Sequence, residues 1–153
     1  MPAKSPLAAF ETAVEHARTV GGKVLALVAA TLHAQFPAGA CLVLTRSRED
    51  GETRLFPHSI RDAEGVVLRD FEEESNHGGG SVLGGVPPEL ADRWGARDPA
   101  SLSEVVEVLE AVEALAPYAC FGFLPDALRT PEEVEREGRG WPTPLWLPLA
   151  PLS

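Results

Sequence analysis

Between Pro6 and Phe36 the apolar residues Leu7, Phe10, Val14, Ala17, Val20, Val24, Val28 and Leu32 recur at spacings of three and four. That period belongs to a helix. A helix this long is the largest single commitment in the chain, because everything after it must fit against the face of one rod. Ser5 carries an N-cap side chain and Pro6 suits the first helical position, while Pro37 and Gly39 end the run. Gly21-Gly22 in the middle costs about 1 kcal/mol per Gly relative to Ala. The stripe keeps phase across the pair, which predicts one long helix with either a bend or a close approach of a second backbone there.

After Pro37 the period changes. Ala40 to Thr45 is an apolar run of strand length suited to a central strand. Asp50-Gly51 is a hairpin turn, and Thr53 to Ile60 reads as the return strand. Pro57 lacks a backbone donor and predicts an edge position or a bulge. Arg61 to Gly65 is a second turn, and Val66 to Phe71 a third strand. Residues 72–87, with Glu72-Glu73-Glu74 and two glycine runs, read as a flexible loop. Pro88 to Trp94 reads as a short helix. Asp98-Pro99, together with Ser101 and Glu104 at capping-box spacing, predicts a helix start. Leu102, Val105, Val106, Leu109, Val112 and Leu115 then give a second amphipathic helix ending at Pro117. Tyr118 to Leu124 is a candidate fourth strand, and Thr130, Pro131 and Glu133 mark another short helix.

Charge narrows the function classes. Lys and Arg number 13 against 23 Asp and Glu, for a net charge of -10. Such a chain repels phosphate backbones and anionic membrane surfaces, which disfavours direct nucleic-acid binding and membrane attachment. No segment reaches the length of an apolar membrane span, and no secretory leader is seen, so a cytoplasmic location is expected. Cys41 and Cys120 each sit in an apolar run and read as reduced core thiols. Arg in place of Lys, with abundant Ala, Val, Leu, Gly and Pro, fits a GC-rich bacterial genome.

The chemical motifs fail one by one. His77-Gly78-Gly79-Gly80 has the letters of an esterase oxyanion loop, but no Gly-x-Ser-x-Gly elbow accompanies it. The glycines match neither phosphate-binding fingerprint, and the Glu cluster beside them would repel phosphate. His16, His33, His58 and His77 form no close helical pair of the kind zinc uses. His58 and Ser59, as neighbours on a strand, should point to opposite faces and form no dyad. No catalytic set, metal or cofactor is expected.

Two features point to a partner. Glu104, Glu107, Glu110 and Glu113 recur every three residues on the second long helix, and no Lys or Arg interrupts residues 98–128. They read as a solvated outer face or as an acidic docking face for a basic protein. From Trp141 to Ser153 the chain is uncharged and broken by prolines at 142, 144, 148 and 151. Trp141, Trp146, Leu147 and Leu149 in this tail should not be left in water. They dock on the domain itself, on a partner, or on a second copy of the chain.

The long helix followed by Cys41-Leu42-Val43-Leu44, an Asp-Gly hairpin and Asp62-Ala63-Glu64-Gly65 is similar to the opening of GAF-like or PAS-like sensor domains, over at most residues 20–71. The resemblance implies a small-molecule sensor, and none of these residues carries a ligand site over. The expected fold is a single α+β domain over residues 1–140. In it the long helix packs on an antiparallel meander of three to five strands, followed by the extended tail 141–153. The expected function is that of a non-enzymatic accessory or regulatory protein acting through protein–protein contact. The alternatives are a small-molecule sensor, a small hydrolase using His58 or His77, and a nucleic-acid mimic.

Overall fold

In a computed structural model, residues 5–76 and 82–152 are described. The fold is α+β. The long helix α1 spans Pro6–Gln35 without interruption. Its N-cap forms as the sequence predicts, with Ser5 Oγ accepting the Leu7 and Ala8 N–H groups. The Gly pair introduces no break. Gly21 is buried where Val112 of the second amphipathic helix crosses, and a Cβ on Gly21 would lie 3.6 Å from Val112 Cγ1.

Strands β1 (Cys41–Glu49) and β2 (Glu52–Arg61) form a hairpin closed by Asp50 and Gly51. Both turn residues have positive φ, 52° and 80°, so the turn twists with the strands. Pro57 sits at a bulge: Val43 pairs with Ser59 but Leu44 pairs with Pro57, which leaves His58 without an opposite residue. Strand β3 (Val67–Asp70) follows as a short edge. The chain then turns directly into helix α2 (Phe71–Asn76), where a loop was expected. Asp70 Oδ1 accepts the Glu73 N–H, Arg69 forks onto Glu74, and Phe71 is buried. The three glutamates thus sit in the first turn of a helix, where carboxylates are favoured. The later part of the expected loop is also tied down. Leu83 N–H donates to Ala100 O, and Gln35 Nε2 donates to Gly84 O. The motif His77-Gly78-Gly79-Gly80, with Ser81, lies outside the described residues.

Helix α3 (Pro88–Ala91) leads into a short 3-10 turn ending at Trp94, whose indole N–H donates to Thr31 of α1. Helix α4 spans Leu102–Leu115. Its N-cap residue is Ser101, the later of the two expected starts, but the capping box is absent. Asp98 and Pro99 lie in a turn, where Asp98 Oδ1 accepts Ala100 N–H, and the Ser101 hydroxyl makes no capping bond. Ser101 is instead bridged to Val82, and Glu104 accepts the Asp98 N–H. Strand β4 is only Gly122–Phe123, shorter than expected because Tyr118 has φ 63° and breaks the extended run. Helix α5 (Pro131–Gly138) begins where Thr130, Pro131 and Glu133 predict, with a capping box between Thr130 and Glu133.

The tail supplies β5 (Leu145–Pro148), which pairs with β1 on one side and β4 on the other. The sheet is antiparallel, in the order β3-β2-β1-β5-β4, with β1 at its centre. Its alternating faces are covered by different elements. Leu42, Leu44, Leu55, Ile60, Leu145 and Leu147 join Val28, Leu32, Val105 and Leu109 of α1 and α4 in the main core. Cys41 and Val43 face the other way, onto Leu124, Leu128 and Trp146. The sheet is therefore a middle layer, with α1 and α4 on one side and the α5 segment on the other.

Candidate functional site

The four glutamates of α4 do not share one face. A residue advances 100° around a helix, so steps of three drift by 60° and the row from Glu104 to Glu113 sweeps half the circumference. Glu107 is exposed and pairs with Arg97 at 3.1 Å. Glu110 is half-buried and accepts the Leu55 N–H of β2 at 3.0 Å. Glu113 is fully buried, 2.8 Å from Arg46 of β1, and accepts the Tyr118 N–H. The Arg46 N–H groups are not aligned with the carboxylate, so this contact is one of charge, and Arg46 also stacks over the Tyr118 ring. Bases from neighbouring elements meet Glu107 and Glu113, and backbone N–H groups meet Glu104 and Glu110.

The tail residues divide in a similar way. Leu147 is buried on the helix side of the sheet, Trp146 is half-buried on the α5 side, and Leu149 packs at the edge of the main core. Trp141 is exposed, with Arg136 stacked on its ring.

A polar cluster that the strand alternation rule excluded is present at the bulge. The unpaired residue in β2 turns His58 toward its neighbour, and His58 Nδ1 lies 3.0 Å from Ser59 Oγ. Glu72 of α2 is 3.3 Å from His58 Nε2. These are the residue types of a hydrolase triad, but the serine is fully buried and its oxygen already accepts the Arg61 Nε–H at 3.0 Å. A substrate carbonyl has no path to it.

Arg61 is the centre of this cluster and is itself fully buried. It donates to Ser59, to Leu128 O at 2.9 Å and, as a fork, to Glu133 at 2.6 and 2.8 Å. Burial alone would raise the Glu133 carboxyl. The Arg61 hydrogen bonds and the Thr130 N–H outweigh it, and the pKa is lowered. Beside them burial pushes the Cys41 thiol up, with Arg61 partly opposing. The group is a satisfied internal brace rather than a reactive centre. Among the described residues no cluster of His, Cys, Asp and Glu could hold a metal.

A cleft of about 630 Å³ opens between β2, α2 and α4. Leu55, Phe71, Leu102 and Val106 form its floor, and Arg54 and Glu110 stand on its rim.

An extended apolar feature is open at the first half of α1, although the sequence reading packs the long helix on the sheet. Helices α1 and α4 run antiparallel: Gln35 reaches Pro99 at one end, and Gly21 meets Val112 at the other. Helix α4 stops at Leu115, and α1 continues past it. From Pro6 to Val20 no α1 residue is buried. Leu7 and Phe10 are 65% and 64% exposed, and Val20 is 41% exposed. This projecting half is about 22 Å long. The sequence supplied the stripe but not the point at which its cover ends, since that depends on where α4 terminates.

No helix of the described residues is long and apolar enough to cross a membrane. Comparison of the chain with protein-family models, curated proteins and solved structures gives no match.

Proposed function

We propose that the chain is a non-enzymatic accessory or regulatory protein that works by protein–protein contact, made through the projecting half of α1. The observation that carries this reading is the uncovered stripe in which Leu7 and Phe10 are exposed and Val14 and Ala17 half-buried, continuing the line along which Gly21 and Val28 are buried inside the domain. A helix of this length without a packed face is marginal in water, because most helical stability in proteins comes from tertiary contact. A partner that covers the stripe supplies that contact. The acidic row on α4 is less suited to the role, since its members are engaged with Arg97, Leu55 and Arg46. We assign the protein to the cytoplasm, in keeping with two free thiols in apolar surroundings.

The test is a photo-crosslinking residue at position 10, compared with one at position 12 on the opposite side of the helix, in the living host. Adducts of discrete mass at position 10 and none at position 12 are expected. The absence of adducts at position 10 would refute the reading.

A second reading, a small-molecule sensor, is favoured by the cleft between α4 and the sheet, whose volume suits a metabolite-sized ligand. It predicts a ligand-induced rise in melting temperature that is lost in Val106→Trp, which would fill the cleft.

A further inference from the structure

We infer that the occupant of the α1 stripe is a second copy of the same chain, packed antiparallel along residues Leu7 to Ala17; this rests on the contact reading proposed above. Three observations select it.

The first is spacing. Leu7, Phe10, Val14, Ala17, Gly21, Val24 and Val28 follow a strict three-four alternation, the seam of a two-helix coiled coil. Within the chain α4 covers this seam from Gly21 onward and stops at Leu115. The open length is Leu7 to Ala17, centred on Thr12. Antiparallel pairing about that centre uses the whole open length, and each helix begins where the α4 of the other copy ends.

The second is shape. In this register Leu7 faces Ala17 of the second copy and Phe10 faces its Val14, so every layer joins one large and one small side chain. A parallel pair would instead set Phe10 on Phe10 and Ala17 on Ala17, crowding one layer and leaving another empty.

The third is charge. The chain carries -10, which makes contact between copies costly over most of its surface. Along helix α1 this cost is small, because Glu11 and Glu15 are balanced by Arg18 and Lys23. Glu11 and Arg18 occupy equivalent flanking positions of the seam. In the antiparallel pair they line up in one row with a cation at each end: Arg18, Glu11 of the second copy, Glu11, Arg18 of the second copy. The row is neutral overall: the two glutamates meet at its centre, and the Arg18 at each end offsets their repulsion.

The paired stretch is only about three turns long, so the contact falls below the roughly 1,200 Å² of standard stable interfaces. A dimer dissociating in the micromolar range is expected, corresponding to about 8 kcal/mol.

The experiment is sedimentation equilibrium of the full chain from low micromolar to several hundred micromolar. The wild type should pass from monomer to dimer. Phe10→Glu should remain monomeric, with a circular dichroism spectrum matching that of the wild type at concentrations where the wild type is also monomeric. Arg18→Glu, which makes the row uniformly negative, should weaken the dimer at least tenfold, and Glu11→Lys with Arg18→Glu should restore it to within a fewfold. A wild type that stays monomeric throughout overturns the inference. A dimer insensitive to both Phe10→Glu and the charge changes overturns it as well, since the copies then meet elsewhere. A monomeric wild type whose position-10 crosslinks join a different chain overturns self-pairing but leaves the contact reading standing.

Discussion

Glu133→Ala should be the most damaging single substitution on the α5 side of the sheet. Arg61 is fully buried, and two of its hydrogen bonds, at 2.6 and 2.8 Å, go to Glu133. Removing the carboxylate leaves a guanidinium in the interior with only Ser59 and Leu128 O as close partners, because His58 lies 3.5 Å away. Breaking one side of a buried pair costs about 3–5 kcal/mol. The same change removes the N3 side chain of the α5 capping box, which accepts the Thr130 N–H. For a chain of this size 1 kcal/mol corresponds to about 2–4 °C, so a fall of roughly 10 °C in Tm is expected. The pH dependence has a definite sign. The folded carboxyl titrates below its unfolded value, so its stabilisation is complete above the unfolded pKa of about 4.3 and is lost as pH falls through the folded value. Urea unfolding at pH 7 and at pH 3 should therefore show a large deficit for Glu133→Ala at the first and a smaller one at the second. The double variant Arg61→Met/Glu133→Leu should recover most of the loss, since the unpaired charge is gone. A single-variant deficit below about 1 kcal/mol at pH 7, the value of a surface pair, would refute the reasoning.

Other outcomes follow from the same structure. Removing residues 141–153 takes away β5, leaves β1 without one neighbour and leaves β4 with none, so the truncated chain should lose its cooperative unfolding transition by calorimetry. Gly65→Val should cost about 2 kcal/mol or more in urea titration, because Gly65 has φ +86° and a Cβ there would lie 3.2 Å from Leu128 Cα. Phe10→Glu, at an exposed position, should change stability by no more than about 0.5 kcal/mol when measured at a concentration where the wild type is monomeric. Cys41 is fully buried with its thiol pKa raised by burial, so it should resist a thiol reagent at pH 8 until urea opens the domain.

Much of the fold is written locally. Ser5 and Pro6 mark the start of α1, Asp50-Gly51 closes the hairpin, Pro57 marks the bulge, and Thr130 to Glu133 cap α5. Each is a short-range stereochemical demand that needs no knowledge of the rest of the chain. What the sequence left unread depends on distant partners. Glu113 became interior because Arg46 arrives from β1, and Arg61, at the end of an amphipathic strand, found Glu133 some seventy residues away. His58 and Ser59 came together because an extra residue at the bulge suspends the alternation that would have parted them. The tail read as an uncharged segment that must be buried, but its place between β1 and β4 is set by pairing across the whole chain. The candidate contact surface had the opposite history. Its stripe was plain in the sequence as the face of a helix packed on the sheet, and the termination of α4 at Leu115 left the first half of it open.

Amide hydrogen exchange along α1 tests that surface most directly. Residues 24–35 pack on α4 and the core and should exchange slowly at any protein concentration. If the stripe is covered by a second copy, the amides of residues 10–20 should gain protection as concentration rises through the micromolar range, and should not gain it in Phe10→Glu. Exchange of residues 10–20 that stays fast and independent of concentration would contradict the account.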